Sequence, residues 1–452
     1  MAPDSEPVEP QFSPDDAQPA EAVGTRTHPL TGLVQGALWA GAAVLALLGQ
    51  MFGGNDGEGL PLWIEALLRV GGGLVVGVAL GFLSWWFTRF VIDGTELRIN
   101  SGILQKSSRR IPYERIQSVD IAEPLLARVL GLAELRIELA GGSNSRTSLR
   151  FLPLDDARSL RRMLLGRAHG RAVEELEAET DDGELELITR VPPGRVVLGT
   201  LLTLDFLLAS IGTVAVLAAA LWFDQVIAFL GGIVPLATWL TQIVGKRILM
   251  QWDFTLTRSA TGLRIERGLL SRTSQSIPFA RVQGVSVEEP FVWRRLGWQR
   301  LEVDVAGYAS HGSDDSSDIS STLLPIADPA LAAVVLDELV PGARPAHVDH
   351  VRVPSRSWPF APIGWRYRWV GIDDVAFVAR TGWLERTTDV VPHARTQSVE
   401  LRQGPWQRRL GVATVEVHTP KGPVDADGRN LDAADARRIA FDQLSRARLA
   451  RV

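Results

Sequence analysis

Gly102-Ile103-Leu104, Ile111-Pro112-Tyr113-Glu114-Arg115-Ile116-Gln117-Ser118-Val119 and Arg128-Val129-Leu130-Gly131-Leu132 are the stretch that decides the fold. Shifted by 166 positions, the chain reads Gly268-Leu269-Leu270, Ile277-Pro278-Phe279-Ala280-Arg281-Val282-Gln283-Gly284-Val285 and Arg294-Arg295-Leu296-Gly297-Trp298. A further 114 positions on, it reads Gly382-Trp383-Leu384, Val391-Pro392-His393-Ala394-Arg395-Thr396-Gln397-Ser398-Val399 and Arg408-Arg409-Leu410-Gly411-Val412. No gap interrupts the comparison, so the chain carries three copies of one module.

Each copy alternates apolar and polar residues between Gly and Pro punctuation. Leu135, Ile137 and Leu139 match Leu301, Val303 and Val305, then Val415 and Val417. Period-two alternation of this kind means antiparallel strands with one buried face. Each copy closes on a helical pattern opened by an acid: Asp155-Asp156, Asp328 or Asp432. Several strands and one terminal helix predict a small β-barrel or sandwich capped at one end.

Outside the modules lie four apolar runs, at 33–52, 70–88, 206–223 and 225–245. The third extends back to Val196 with Asp205 as its one interruption. An uncharged run of about 18 or more residues is a candidate membrane helix. The runs come as two hairpins, whose tips carry no Arg or Lys. The opposite ends carry Arg26, Arg89, Arg98, Arg190, Arg195, Lys246 and Arg247. That asymmetry predicts external tips and cytoplasmic modules.

Composition narrows the function. The chain has 452 residues and no Cys, which excludes thiol nucleophiles, disulfides and Cys-ligated metals. The net charge of −5 resides in the first 30 residues, which hold six acids and one base. The remainder is neutral, so no basic field points to nucleic acid. No phosphate loop, nucleophile elbow or paired-His zinc motif is present, and no cofactor is expected. His347-x-x-His350 lacks a third ligand, and Asp314, Asp315 and Asp318 fit no calcium loop.

With His28-Pro29-Leu30 before the first apolar run, the Gly-x-Leu…Pro-x-x-Arg-x-Gln segments, Gln403-Gly404-Pro405 before Arg408-Arg409-Leu410-Gly411, and the paired hairpins, the chain resembles the bacterial pleckstrin-homology-like membrane proteins of the YdbS/YdbT type over about residues 28–450. The resemblance implies an α+β membrane protein. It would have two transmembrane helical hairpins and three pleckstrin-homology-like β-barrel modules, each with a C-terminal helix. It further implies a bacterial inner membrane, no enzymatic activity and a loose association with envelope stress or protection. The second copy departs at Gly284, where the others have Ser118 and Ser398.

The expected organisation is an acidic disordered tail (1–27), hairpin 1 (28–88), module 1 (89–168), an acidic linker (169–194), hairpin 2 (195–250), module 2 (251–342), a linker (343–364) and module 3 (365–452). Trp365-Arg366-Tyr367-Arg368-Trp369 reads as the opening strand of module 3, with an interfacial membrane contact as the alternative.

Two sets of repeated residues are candidate contacts. Arg115, Arg281 and Arg395, with Gln117, Gln283 and Gln397, would offer guanidinium and amide donors to a phosphate headgroup. They would equally serve to maintain the fold. Arg128, Arg294 and Arg408 sit beside apolar residues and would suit anionic lipid or ordinary surface charge. If the third helix starts at Val196, Asp205 is an intramembrane carboxylate without a basic intramembrane partner; if it begins near Thr203, Asp205 lies at the interface. It carries the alternative reading of a small-solute or ion transporter. A hydrolase using His393 or His418 is a weaker third reading. The leading reading is a non-catalytic scaffold or recognition platform. Its partners would be membrane lipids, a protein partner or a homo-oligomer.

Overall fold

The structure, a computed structural model, describes residues 25–26, 62–87, 89–101, 107–139, 146–169, 186–222, 239, 244–306, 321–420 and 422–451. The apolar runs at 33–52 and 225–245 fall almost wholly outside the described residues, as do the acidic tail but for two residues and Gly102.

The chain divides into two compact units, 1–113 and 114–452. In the first, β1 (Thr25–Arg26) precedes α1 (Leu62–Phe87), β2 (Arg89–Ile92), β3 (Glu96–Ser101) and β4 (Ser107–Pro112). The four strands form one antiparallel sheet in that order, with β4 at its edge. Leu97 and Ile111, opposite each other in the ladder, are fully buried.

The second unit begins with β5 (Ile116–Pro124), α2 (Leu125–Val129), β6 (Leu132–Leu139), β7 (Arg146–Pro153) and α3 (Leu154–His169). β8 (Glu186–Val191), α4 (Pro193–Leu201) and α5 (Leu204–Trp222) follow. Module 2 then supplies β9 (Phe254–Ser259), β10 (Gly262–Arg267), β11 (Ser271–Pro278), β12 (Val282–Pro290), α6 (Phe291–Leu296), β13 (Gln299–Val305), β14 (Thr322–Ala327) and α7 (Pro329–Leu339). Module 3 repeats the pattern with β15 (His350–Arg352), β16 (Trp369–Ile372), β17 (Ala376–Thr381), β18 (Glu385–Pro392), β19 (Ser398–Arg402), α8 (Pro405–Leu410), β20 (Val412–His418), β21 (Asp427–Asp432) and α9 (Ala433–Leu449).

The alternating residues do form strands, but the sheets do not close into barrels. One seven-stranded sheet runs β7-β6-β5-β11-β10-β9-β8 and another runs β14-β13-β12-β18-β17-β16-β15. The last three strands of one module therefore pair with the first strands of the next. The physical reason is that the edge a barrel would use for closure is consumed by a neighbouring repeat, which satisfies the same backbone groups. Module 2 is a sandwich of two half-sheets. Phe254, Leu263 and Ile277 pack with Val285, Leu301 and Leu324, and Val335 of α7 caps them. Phe377, Val391, Val415, Leu431 and Ile439 form the corresponding core in module 3.

β8 and β15 lie inside the segments expected as linkers and add an outer strand to each seven-stranded sheet. The turn after β10 and β17 needs glycine. Gly268 and Gly382 have φ of 112° and 84°, and a Cβ at either would strike the carbonyl of Ser271 or Glu385.

Two local expectations need correction. The third apolar run breaks at 202–203, and α4 and α5 meet at 59°. Val196, Thr200 and Thr203 are buried, and Thr200 and Thr203 donate to the carbonyls of Val196 and Thr200 at the bend. α4 is thus a docked foot rather than the start of one long helix. Among the described residues, no single helix is long and apolar enough to cross a membrane. The bent pair Pro193–Leu201 with Leu204–Val216 passes that test together. In module 3, Gly364–Tyr367 is a 3-10 turn and β16 begins only at Trp369, so the aromatic segment is not one strand. Trp365 packs on the core while Tyr367 is 37% exposed.

Candidate functional site

The repeated arginines meet at the junctions between modules. Arg281 donates to the carbonyl of Gln117, in the preceding module. Arg395 donates to the carbonyl of Ala280 at 2.6 Å, again one module back. The second set reaches forward. Arg128 donates to the carbonyl of Leu269 at 3.2 Å, and Arg294 to that of Trp383 at 2.8 Å. These two bonds are the same contact repeated, because 128 and 294 are equivalent positions, as are 269 and 383. A guanidinium on a carbonyl is a charge-assisted bond and fixes orientation as well as energy.

Among the glutamines, the Gln283 side chain donates to the carbonyl of its own Arg281 at 3.1 Å, and Gln397 is exposed. Arg115 is exposed on the 3-10 turn before β5. Arg408 is exposed, and its guanidinium has no hydrogen-bond or ion-pair partner among the described residues. Asp205 lies in the first turn of α5, 3.5 Å from Arg247. It therefore has the basic partner that sequence reading did not supply.

His393 and His418 both have partners within module 3. His393 is buried, and its Nε2 lies 3.0 Å from the carbonyl of Asp373. Tyr113, at the equivalent position in module 1, makes the same contact to Asp93 at 2.6 Å. His418 pairs with Glu400 at 3.2 Å. Glu400, Glu416 and His418 have ligand atoms close enough together for a metal, but Arg402 already pairs with both carboxylates.

Between β12, β17, β18 and β21 lies a polar cavity of about 390 Å³. Sequence patterning did not reveal it. Ser286 faces Asp389 directly across the β12–β18 ladder, and both line it. Asp389 is 3% exposed, and its Oδ1 has no hydrogen-bond partner. Burial, reinforced by Asp425, Glu288 and Asp427, pushes its carboxyl up to about 7 despite a hydrogen bond from Ser286. Arg429 also lines the wall but is held by Asp425 at 3.2 Å and Asp427 at 2.8 Å. Asp304 in β13, also 3% exposed, is pushed up to about 7 by burial as well.

With both folded-state values above the ordinary 3.8 of Asp, the native state holds extra protons between about pH 4 and 7. Stability from these groups is complete below that window and is lost as pH rises through it. Asp389→Asn is expected to raise the melting temperature at pH 8 by about 5 °C or more, and to leave it nearly unchanged at pH 4. Thermal unfolding of purified protein at the two pH values checks this; an equal shift at both would refute the assignment.

Bacterial PH domain sequences match residues 40–168, 200–343 and 330–448, one match per module. The chain belongs to the bacterial PH domain family. The bacterial PH repeat thus accounts for the triplication, for the two-sheet plan and for the terminal helices α3, α7 and α9. A Bacillus subtilis (strain 168) protein described as the UPF0699 transmembrane protein YdbT is 21% identical over 259 residues, 51% of this chain and 52% of its own length. The chain thus spans about half the length of that curated relative.

Proposed function

We propose that this bacterial PH protein is a non-catalytic assembly platform, anchored in the inner membrane by its two hairpins with all three modules in the cytoplasm. The β19 edge is its recognition surface. The observation that carries the reading is the state of that edge. β5 and β12 each hold a strand of the following module, whereas β19, their counterpart, stands at the edge of a three-stranded sheet. Arg408, whose counterparts clasp the following module, is exposed beside Trp406, itself 69% exposed. An open edge with an adjacent apolar anchor is a template for strand addition.

The strand that fits is β4 of a second copy. β4 is the counterpart of β11 and β18 and lies at the edge of its own sheet. Extending the β12–β18 register to β19 and β4 sets Val399 against Arg110, Glu400 against Arg109 and Leu401 against Ser108. Opposed Glu and Arg in facing strands are favourable. Head-to-tail contacts of this kind generate rings or filaments.

The membrane part rests on the transmembrane description of the relative and on the outward apolar side chains of α5. Leu208, Ile211 and Val214 are 58–65% exposed, an arrangement suited to lipid. Four of the six candidate headgroup arginines, Arg128, Arg281, Arg294 and Arg395, are engaged at the module junctions, which favours assembly over lipid recognition. Asp205, paired with Arg247 at a helix foot, gives the transporter reading no added support.

The chain lacks Cys, so engineered thiols report cleanly. Leu401→Cys with Ser108→Cys is expected to give disulfide-linked dimers and higher ladders in oxidised native membranes. Arg438→Cys, on the outer face of α9, with Ser108→Cys should not. A product that stays monomeric, or a link only to a different protein, would count against the second copy as partner.

A further inference from the structure

The two module junctions contain the same site in two states. At the first, Arg267 of β10 is 5% exposed. It donates to Gln275 Oε1 at 3.2 Å and to the carbonyl of Thr322 at 3.3 Å. Its main charged neighbour is Asp120 of β5. The guanidinium fills the space between the shared sheet and β14.

At the second junction every one of these positions is changed. Shifting by 114 puts Thr381 where Arg267 stands and Asp389 where Gln275 stands. Shifting by 166 puts Ser286 where Asp120 stands. Thr322 and Asp427 are ladder partners of Glu302 and Glu416, themselves 114 apart, so Asp427 takes the place of Thr322. The long side chain is gone, the carboxylate has moved to the facing strand, and a cavity of about 390 Å³ remains. That volume is within the range of roughly 300–1,000 Å³ typical of small-molecule sites. Asp389 sits in its wall, 97% buried by the same measure that leaves it 3% exposed, with one oxygen unpartnered. Four carboxylates (Glu288, Asp389, Asp425 and Asp427) outnumber the two guanidiniums, Arg368 and Arg429, on the lining.

We propose that this cavity binds a small organic cation bearing a guanidinium group, which occupies the place that the Arg267 side chain fills at the first junction, with Asp389 as its counter-ion. The carboxylate then gains the charge-assisted hydrogen bonds it lacks. Ser286 and Thr381 supply hydroxyls beside it. A metal ion is the poorer occupant, because the one described cluster with metal-compatible spacing is Glu400, Glu416 and His418, on β19 and β20.

The test is calorimetric titration of the full-length protein in detergent with methylguanidinium and with agmatine, tetramethylammonium and magnesium chloride serving as controls. The guanidinium compounds are expected to bind and the controls are not. Asp389→Asn should weaken binding about 10- to 100-fold, the usual weight of a charged hydrogen-bonded contact. Thr381→Arg, which tethers a guanidinium in the cavity, should abolish binding and raise the melting temperature. Absence of binding to the unmodified protein at about 10 mM probe, or undiminished binding to Asp389→Asn, would overturn the proposal. Should Thr381→Arg not fold, the near-isosteric Asp389→Asn decides alone. An Arg-containing heptapeptide that binds more tightly than agmatine would shift the source to a protein side chain and overturn the small-compound assignment.

Discussion

Trp293→Ala is expected to destabilise the protein by about 3–5 kcal/mol, the usual cost of truncating a fully buried aromatic. Trp293 is 1% exposed and is the largest fully buried side chain among the described residues. Its indole N–H donates to the carbonyl of Gly199 at 3.1 Å, which joins α6 to α4. Gly199 has no Cβ for a reason: one would collide with Ile326 and crowd the Trp293 ring. Trp298 stacks edge-on at 6.3 Å, and the Arg300 guanidinium lies 5.4 Å from the ring centroid. The same indole thus holds the module core and α4. Truncation should loosen both together, so limited proteolysis in the 193–203 region should rise along with the fall in stability. Trp293→Phe, which keeps most of the bulk but loses the donor, should cost much less. A change below about 1 kcal/mol for Trp293→Ala would mean that α4 is not docked as described.

Arg267→Met is expected to cost a similar amount, about 3–5 kcal/mol, for a different reason. Arg267 and Asp120 are 5% and 8% exposed, so neither charge is screened by solvent. Burial pulls the guanidinium down to about 10, with Asp120 opposing that shift. Removing the cation takes away the positive charge nearest the buried Asp120 carboxylate and one donor each from Gln275 Oε1 and the Thr322 carbonyl. Combining Arg267→Met with Asp120→Leu should recover most of the loss, because the uncompensated charge rather than the missing attraction dominates. Denaturant unfolding of the single and double variants separates the two terms; an additive pair of losses would rule this explanation out.

The modules were legible in the sequence because their strands are half-buried, and half-burial writes a period of two. Leu135, Ile137 and Leu139 are at most 8% exposed, as are Leu301, Val303 and Val305. The capping role of Asp432 was legible too, and its side chain accepts from the Ala434 amide at 2.9 Å. What repetition could not reveal was which edge each strand uses. Arg281 and Arg294 recur for a reason that involves the neighbouring module, and a repeat pattern is blind to whether its invariant contacts lie within one copy or between two. Closed barrels were the wrong expectation on that account. The bend at 202–203 was illegible because apolar residues on α4, such as Val196, are buried in protein, and hydropathy does not distinguish that from facing lipid. The cavity is illegible from any single copy. It appears only when Thr381 and Asp389 are set against Arg267 and Gln275.

Sheet continuity between modules is the claim on which the junction clasps, the cavity and the open edge all depend. Val287 of β12 and Thr388 of β18 are direct ladder partners. Facing residues in antiparallel strands have Cα atoms about 4.5–5.5 Å apart, within reach of a disulfide. Val287→Cys with Thr388→Cys, in full-length protein held in native membranes and mildly oxidised, should form an intramolecular disulfide in nearly every molecule, and far faster than Val287→Cys with Arg386→Cys. Failure of the first pair to close, or equal closure of both, would show that the modules are separate beads and would contradict the shared sheet.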